Sequence, residues 1–162
     1  MSLWHRYDND KQRGDIAQAP ASTPSGLGNL MTDEGFISAV EISLFTDRRA
    51  PEGSALPGNN NDRPGWWGDR FFAGDFADPN FQIGSLIWLL ERSKITQQTM
   101  GELRDAAEDA VAWMRTFGIM DSARAVVERI DYQTLCFSLE IKRPDDPAPL
   151  WVGPWEVTFS GI

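Results

Sequence analysis

The sequence has very few of the side chains that catalytic and metal centres most often use. Its 162 residues include one cysteine, Cys136, and one histidine, His5. An internal disulfide and a metal site built from cysteines and histidines are therefore excluded by count. Neither a Gly-x-Ser-x-Gly turn nor a glycine-rich phosphate loop is present. The sequence predicts no cofactor, no bound metal and no nucleophilic active site.

Basic residues and long apolar runs are scarce as well. There are 15 Lys and Arg against 24 Asp and Glu, which gives a formal net charge of −9. Such a chain repels a phosphate backbone on average, so we predict no nucleic-acid partner. No window approaches the roughly 18 apolar residues that span a bilayer, and the first residues lack the pattern of a signal peptide. We expect no membrane association and a protein made and kept in the cytoplasm.

Two segments show helical spacing of apolar residues. Residues 81–90 are apolar on nearly all sides, which predicts a helix buried by its neighbours that ends at Glu91. A second helix is predicted from Thr96 or Thr99 to Phe117, because Thr99 and Glu102 have capping-box spacing. Gly118 is a plausible C-terminal cap of this helix.

Alternating apolar residues predict strands elsewhere. Residues 36–45 are predicted to form one strand, residues 125–130 and 135–142 a hairpin with a turn at 131–133, and residues 155–159 a terminal strand. Strand, helix pair and strands in this order predict an α+β fold, in which two main helices pack on one face of an antiparallel sheet.

The domain organisation follows from composition. Residues 1–35 are polar and predicted to form an irregular N-terminal segment, in which residues 15–17 are a candidate short strand. With 41% hydrophobic residues in the whole chain, residues 36–162 are sufficient for one domain with one sizeable core.

The most informative stretch is a long loop that contains a tryptophan pair. Leu44-Phe45-Thr46-Asp47-Arg48-Arg49-Ala50 leads through a polar segment to Asp62-Arg63-Pro64-Gly65-Trp66-Trp67-Gly68-Asp69. Ordering such a loop around large aromatic side chains is costly, which favours a loop built to hold something.

The tryptophan pair and the arginine pair of this loop each allow two interpretations. Trp66 and Trp67 are expected to point to opposite sides, one into the core and one toward a partner, unless both fold over the core. Arg48 and Arg49 are expected either to pin the loop through Asp62 or Asp69 or to present their guanidinium groups to a partner carboxylate.

These two motifs, followed by Gly84-Ser85 and Trp88-Leu89-Leu90, resemble the baseplate wedge family of Mu-like contractile phage tails. That family is distantly similar to the lysozyme-like wedge subunit of T-even phage baseplates. The resemblance covers about residues 36–155, although Pro64 and Leu86 stand where the family usually has arginine. It implies a wedge-like domain in a virion tail baseplate, assembled in the bacterial host cytoplasm.

The resemblance also implies a function and partners. Members are noncatalytic structural subunits that join wedge neighbours and help to initiate the sheath, in phages or prophages. Other baseplate wedge and sheath proteins are the implied partners, with a homo-oligomer as a further option. The terminal strand is an expected sheet edge, ready for strand addition. Our hypothesis for the partner interface comprises Arg48, Arg49, Trp66, Trp67, Asp69, Trp155, Val157 and Phe159.

Paired carboxylates leave an alternative function open. Glycoside hydrolysis needs two acidic residues in a cleft, and Asp47, Asp69, Asp75 and Asp78 lie near tryptophans that can stack on sugar rings. The alternative is therefore a glycan or peptidoglycan hydrolase. Asp69 is equally suited to capping the backbone of its own turn.

Overall fold

A computed structural model describes residues 5–8, 13–16, 33–57, 62–69, 81–144 and 146–161. The chain divides into two compact units, Met1–Glu41 and Ile42–Ile162. The first unit contains an antiparallel hairpin of β1 (His5–Asp8) and β2 (Arg13–Ile16), together with most of helix α1 (Asp33–Phe45). The segment predicted to be irregular therefore includes regular structure. Asp15 and Ile16 of the candidate strand lie in β2, and Ala17 is outside the described residues.

The second unit is built on a three-stranded antiparallel sheet. Its strands are β3 (Ser122–Arg129), β4 (Thr134–Lys142) and β5 (Leu150–Thr158), in the order β3-β4-β5. Helix α2 (Gln97–Thr116) packs on β3 and β4, and a short 3-10 helix (Ile87–Leu90) packs against α2. The predicted α+β class with an antiparallel sheet is confirmed. No helix in the described part of the chain is long and apolar enough to cross a membrane.

The predicted β3–β4 hairpin is present. The core-facing side of β4 is fully buried, as the period of two predicts, and consists of Leu135, Phe137, Leu139 and Ile141. On the other side, Cys136, Ser138 and Glu140 are half-buried and Lys142 is exposed. The turn is closed by Asp131, whose Oδ1 accepts from the backbone N–H groups of Gln133 and Thr134, each at 2.7 Å. The bond from Gln133 is the main reason that the pKa of Asp131 is lowered.

Strand β5 is longer than predicted and irregular in its middle. It begins at Leu150 rather than Trp155, and it contains Gly153 and Pro154. Its register against β4 shifts between the pairs Phe137–Trp155 and Leu139–Val152, so β5 has one extra residue there. A bulge and a proline are tolerated because β5 lies at the edge of the described sheet.

Helix α2 follows its sequence signals closely. Thr96 is the N-cap, and its Oγ1 accepts from the Thr99 backbone N–H at 3.1 Å. Gly118 follows the helix with φ +66°, the left-handed conformation that glycine adopts without strain. The buried residues of α2 have helical spacing and are Thr99, Leu103, Ala107, Ala110, Val111 and Met114. The prediction for this helix is confirmed.

Residues 36–45, predicted to be a strand, belong to helix α1. Val40, Ile42 and Leu44 alternate in sequence, but Ile42 is 50% exposed. The buried residues are Val40, Ser43 and Leu44, which follow the helical spacing of three and four. Burial of the polar Ser43 is made possible by the Trp113 indole, whose Nε1 donates to Ser43 Oγ at 3.0 Å.

The helix predicted for residues 81–90 is also wrong, since only Ile87–Leu90 are helical and in 3-10 form. Gly84 has φ +110°, and a Cβ there would lie 2.3 Å from the Thr46 carbonyl oxygen. The backbone instead pairs with the preceding segment, because Ser85 N–H donates to Thr46 O at 2.8 Å and Arg48 N–H donates to Ser85 O at 2.9 Å. This long-range pairing replaces the helical pattern.

We predict that Gly84→Ala destabilises the protein strongly. The left-handed φ alone costs about 1–3 kcal/mol for a residue with a side chain, and the clash with Thr46 adds to it. Gly101→Ala is the control, since a Cβ there meets nothing within 4 Å and Gly101 lies inside α2. It should stabilise by about 0.5–1 kcal/mol. Urea unfolding measures both, and equal midpoints for the two variants would contradict the account.

Candidate interaction site

The long loop starts from a rigid base formed by residues 44–48 and 85–88. Ser85, which is buried, donates from Oγ to the Leu44 carbonyl at 2.6 Å and accepts there from Ile87 N–H at 3.3 Å. The Trp88 indole donates to the Arg48 carbonyl at 3.0 Å. These bonds satisfy backbone groups that are otherwise left without partners at the interior of the unit. We call these residues the loop base.

The arginines hold the loop, but through other acceptors than predicted. The Arg48 guanidinium forms an ion pair with Asp109 of α2. Arg49 donates to the Arg63 carbonyl at 3.3 Å, and Arg63 in turn donates to the carbonyls of Ala50 and Pro51. Neither Asp62 nor Asp69, the expected acceptors, takes part in these bonds. The described ends of the loop, around residues 49–51 and 63, are thus joined by side chain to backbone bonds.

The tryptophan pair lies at a turn in this loop. Asp69 N–H donates to Trp66 O at 3.2 Å, and the two indole rings are 5.7 Å apart between centroids. The expectation that they point to opposite sides of an extended chain is therefore wrong. Their exposure still differs: Trp66 lies over Gly68, where a Cβ would be 2.3 Å from its ring, while Trp67 is 74% exposed.

The carboxylates of the loop have structural surroundings. Asp69 Oδ1 accepts from Ile83 N–H at 3.1 Å. Burial raises the pKa of Asp69, and this hydrogen bond acts in the opposite direction. Burial also raises the pKa of Asp47. Asp75 and Asp78, the other residues considered for hydrolysis, lie outside the described residues.

Metal and thiol chemistry find no support in the described ranges. No group of His, Cys, Asp and Glu among these residues is arranged to hold a metal ion. The Cys136 thiol has a raised pKa, because of burial first and then of the nearby carboxylates of Glu156 and Glu128. A raised pKa keeps the thiol protonated and makes it a poor nucleophile.

The terminal-strand residues of the predicted interface lie on the core side of the sheet. The Trp155 ring packs on Phe137 at 5.3 Å and on Phe45 at 5.8 Å between centroids. Val157 lies opposite Leu135 in the register, and Phe159 is only 1% exposed. Phe159 is core while Trp155 and Val157 are half-buried, so these side chains stabilise the second unit and β5 offers a partner mainly its backbone.

The outer edge of β5 borders a groove of about 420 Å³. The opposite wall is the loop base, and the lining residues are Leu44, Phe45, Asp47, Ser85, Ile87, Trp88, Glu91, Glu156, Val157, Thr158 and Ser160. Sequence reasoning missed this groove, since its walls come from three separate parts of the chain. The only sequence signal was the expected edge strand.

Comparison with known proteins places this architecture in a phage family. The profile of the family described as Phage protein GP46 matches residues 36–148, which include the loop base, the tryptophan pair, α2 and the β3–β4 hairpin. The chain therefore belongs to the phage protein GP46 family. The predicted resemblance to a Mu-like baseplate protein family is confirmed.

Two relatives show how far the similarity extends. The chain is 37% identical over 152 residues to the baseplate protein gp46 of Escherichia phage Mu, and the alignment covers 93% of this chain and 92% of that protein. It is 29% identical over 120 residues to the Mu-like prophage FluMu protein gp46 of Haemophilus influenzae, covering 74% and 77% respectively.

We predict that the loop base depends on Ser85 more than on the ion pair beside it. Ser85→Ala leaves the buried Leu44 carbonyl and Ile87 N–H without their partner, which costs about 1–3 kcal/mol. Asp109→Asn weakens a pair whose acidic side chain is 60% exposed, so it should cost less than about 1 kcal/mol. Chemical unfolding of both variants measures the difference, and a larger loss for Asp109→Asn would show that the ion pair dominates.

Proposed function

We propose that this chain is a noncatalytic structural subunit of a contractile phage or prophage tail baseplate. In this role it joins neighbouring wedge proteins, helps to initiate the sheath, and is assembled in the bacterial host cytoplasm. The observation that carries the proposal is the 37% identity, over 93% of the chain, to a protein called baseplate protein gp46. Similarity of this extent supports a shared place in the particle.

The surroundings of the loop carboxylates favour assembly over catalysis. The Asp69 carboxylate accepts a backbone hydrogen bond from Ile83, which is a loop-closing role. Neither a thiolate nor a described metal cluster is available to act with it. Turnover of purified peptidoglycan by the wild-type protein, lost in Asp69→Asn, would contradict the noncatalytic part of the proposal.

The loop supplies a preorganised aromatic contact. Its ends are held by the bonds of Arg49 and Arg63, and Trp66 packs over Gly68, so that Trp67 is presented on an ordered turn. Binding of a partner over Trp67 then costs little conformational entropy, because the side chain is already ordered. Large exposed aromatic residues are also frequent interface anchors. We assign Trp67 to contact with a neighbouring tail protein, with Arg49 exposed beside the same loop.

The β5 edge supplies a second contact, through backbone groups. Phe159 N–H donates to Gln133 O at 2.7 Å, which makes these two residues a hydrogen-bonded pair. Antiparallel pairs alternate, so Val157 also bonds to β4, whereas the backbone groups of Glu156 and Thr158 point to the outer edge. This geometry suits strand addition by another baseplate or sheath protein.

For the loop, we predict that Trp67→Ala impairs baseplate assembly without unfolding the protein. The side chain is mostly exposed, so its removal should change stability by no more than about 0.5 kcal/mol. Complementation of a phage that lacks this gene, with electron microscopy of the tails, measures assembly. Trp66→Ala is the control that should lower stability, because its ring packs on Gly68. Normal tails with Trp67→Ala would show that this loop is not part of the interface.

For the sheet edge, we predict that Thr158→Pro blocks assembly while Thr158→Val does not. Proline removes only an N–H that points away from β4, so the ladder is retained, and valine keeps that N–H. Val157→Pro should instead unfold the strand, because its N–H bonds to β4. The same complementation assay and a thermal unfolding midpoint are measured for each. Normal tails with a folded Thr158→Pro protein would rule out strand addition here.

A further inference from the structure

The two edges of the described sheet are not equivalent. On the β3 side, Glu108 of α2 reaches the edge, and its Oε1 accepts from the Ala125 backbone N–H at 2.8 Å. On the β5 side, Glu156 and Thr158 line the groove, and the alternation of the β4–β5 ladder directs their backbone groups away from β4. A carboxylate that occupies an edge N–H competes with strand addition at that position, so the β5 edge is the more open of the two.

The open part of the β5 edge is short. Toward the C-terminus it ends at Ser160, whose N–H donates to the Glu91 carbonyl at 2.7 Å. Toward the N-terminus it ends at Pro154, which has no N–H, next to the bulge. Residues 155–159 remain, a length of roughly 16 Å at about 3.3 Å per residue. An added strand is therefore restricted to about five residues.

The charged residues that line the groove beside this edge are all acidic. Asp47, Glu91 and Glu156 line it, and no lysine, arginine or histidine is among its lining residues. In the described part of the chain none of these three carboxylates has an ion-pair partner. The other lining residues include the apolar side chains of Phe45, Ile87, Trp88 and Val157. Acidic groups around an apolar wall suit the long side chain of lysine or arginine, which combines an apolar stem with a cationic end.

We propose that the groove receives an extended segment of a neighbouring tail protein, which adds to β5 and places a lysine or arginine among Asp47, Glu91 and Glu156. This rests on the proposed assembly function and names the chemistry of one partner. The added strand supplies main-chain hydrogen bonds to Glu156 and Thr158, while the cationic side chain supplies the selectivity.

Strand β5 of a second copy does not match the groove. Residues 150–158 contain no lysine or arginine, so β5 of another copy would bring Glu156 toward three carboxylates. Like charges on adjacent strands are destabilising, and the formal net charge of −9 adds to the repulsion. Strand β3 does carry Arg124 and Arg129, but its own edge is occupied by Glu108. The charge pattern therefore disfavours pairing of β5 with β5 or β3 of another copy and favours a basic segment.

The direct test uses a synthetic peptide as probe, acetyl-Thr-Lys-Val-Lys-Val-Lys-Thr-amide, and a version with glutamate in place of lysine. Titration into the isotope-labelled full chain is followed by amide NMR shifts and hydrogen exchange. The lysine peptide should shift and protect the amides of Glu156 and Thr158, whereas the glutamate peptide should not. Added salt should weaken the binding. Shifts confined to other surfaces, or protection that depends on protein concentration without peptide, would overturn the proposal.

Matched charge variants distinguish the effect of the groove carboxylates on peptide binding from the effect of the chain's net negative charge. Asp47→Asn, Glu91→Gln and Glu156→Gln, combined, should raise the Kd of the lysine peptide by about tenfold, or 1.4 kcal/mol. Glu52→Gln, Asp62→Asn and Asp105→Asn, combined, change the net charge equally at residues outside the groove and should have little effect. An equal loss in both triple variants would overturn the proposal. If the groove triple variant does not fold, Glu156→Gln alone should still weaken binding.

Complementation distinguishes failure of the groove from failure of the assembly function. Normal tails with the groove triple variant, together with defective tails with Trp67→Ala, would overturn the groove proposal and leave the assembly function intact. Normal tails in a phage that lacks the gene would overturn the assembly function itself. The expected result is defective tails with the groove variant and normal tails with the control triple variant.

Discussion

The close backbone approach between Thr46 and Gly84 is the contact on which the rest of the second unit depends. Only a residue without a side chain allows Ser85 to pair with residues 46 and 48. That pairing brings the Ser85 hydroxyl to the Leu44 carbonyl and the Trp88 indole to the Arg48 carbonyl. The start of the loop, the 3-10 helix and one wall of the groove are consequently positioned together, and they are expected to shift together if the two backbones separate.

The elements that sequence reasoning predicted correctly are those whose signals are local. Helix α2 has its N-cap at Thr96 and its glycine cap at Gly118, both within one turn of the helix ends. The β3–β4 hairpin combines a strict period of two with a turn that Asp131 closes by itself. In each case neighbouring residues along the chain supply the decisive hydrogen bonds, so the pattern is readable without knowledge of the fold.

The elements that were missed are determined by contacts between distant residues. Ser43 is buried because Trp113 reaches it, and Arg48 is held by Asp109 on another element. Residues 81–86 lose their helical pattern to pairing with residues 46–48. At the site, the sequence indicated the loop, the tryptophans and an edge strand, but not which indole is exposed. It also could not show that Phe159 is core or that Glu91 and Glu156 border one groove.

The hydrogen bond from Ala125 to Glu108 has a consequence for stoichiometry. A sheet open at both edges can pass strand pairing from one copy to the next and grow without limit, whereas a sheet closed at one edge ends any such series. In the three-stranded sheet, the Glu108 carboxylate occupies the Ala125 N–H at the β3 edge, so the proposed strand addition at β5 is favoured over propagation through both edges. Under the proposed strand addition, this sheet takes one added strand per copy, as a particle of fixed composition requires.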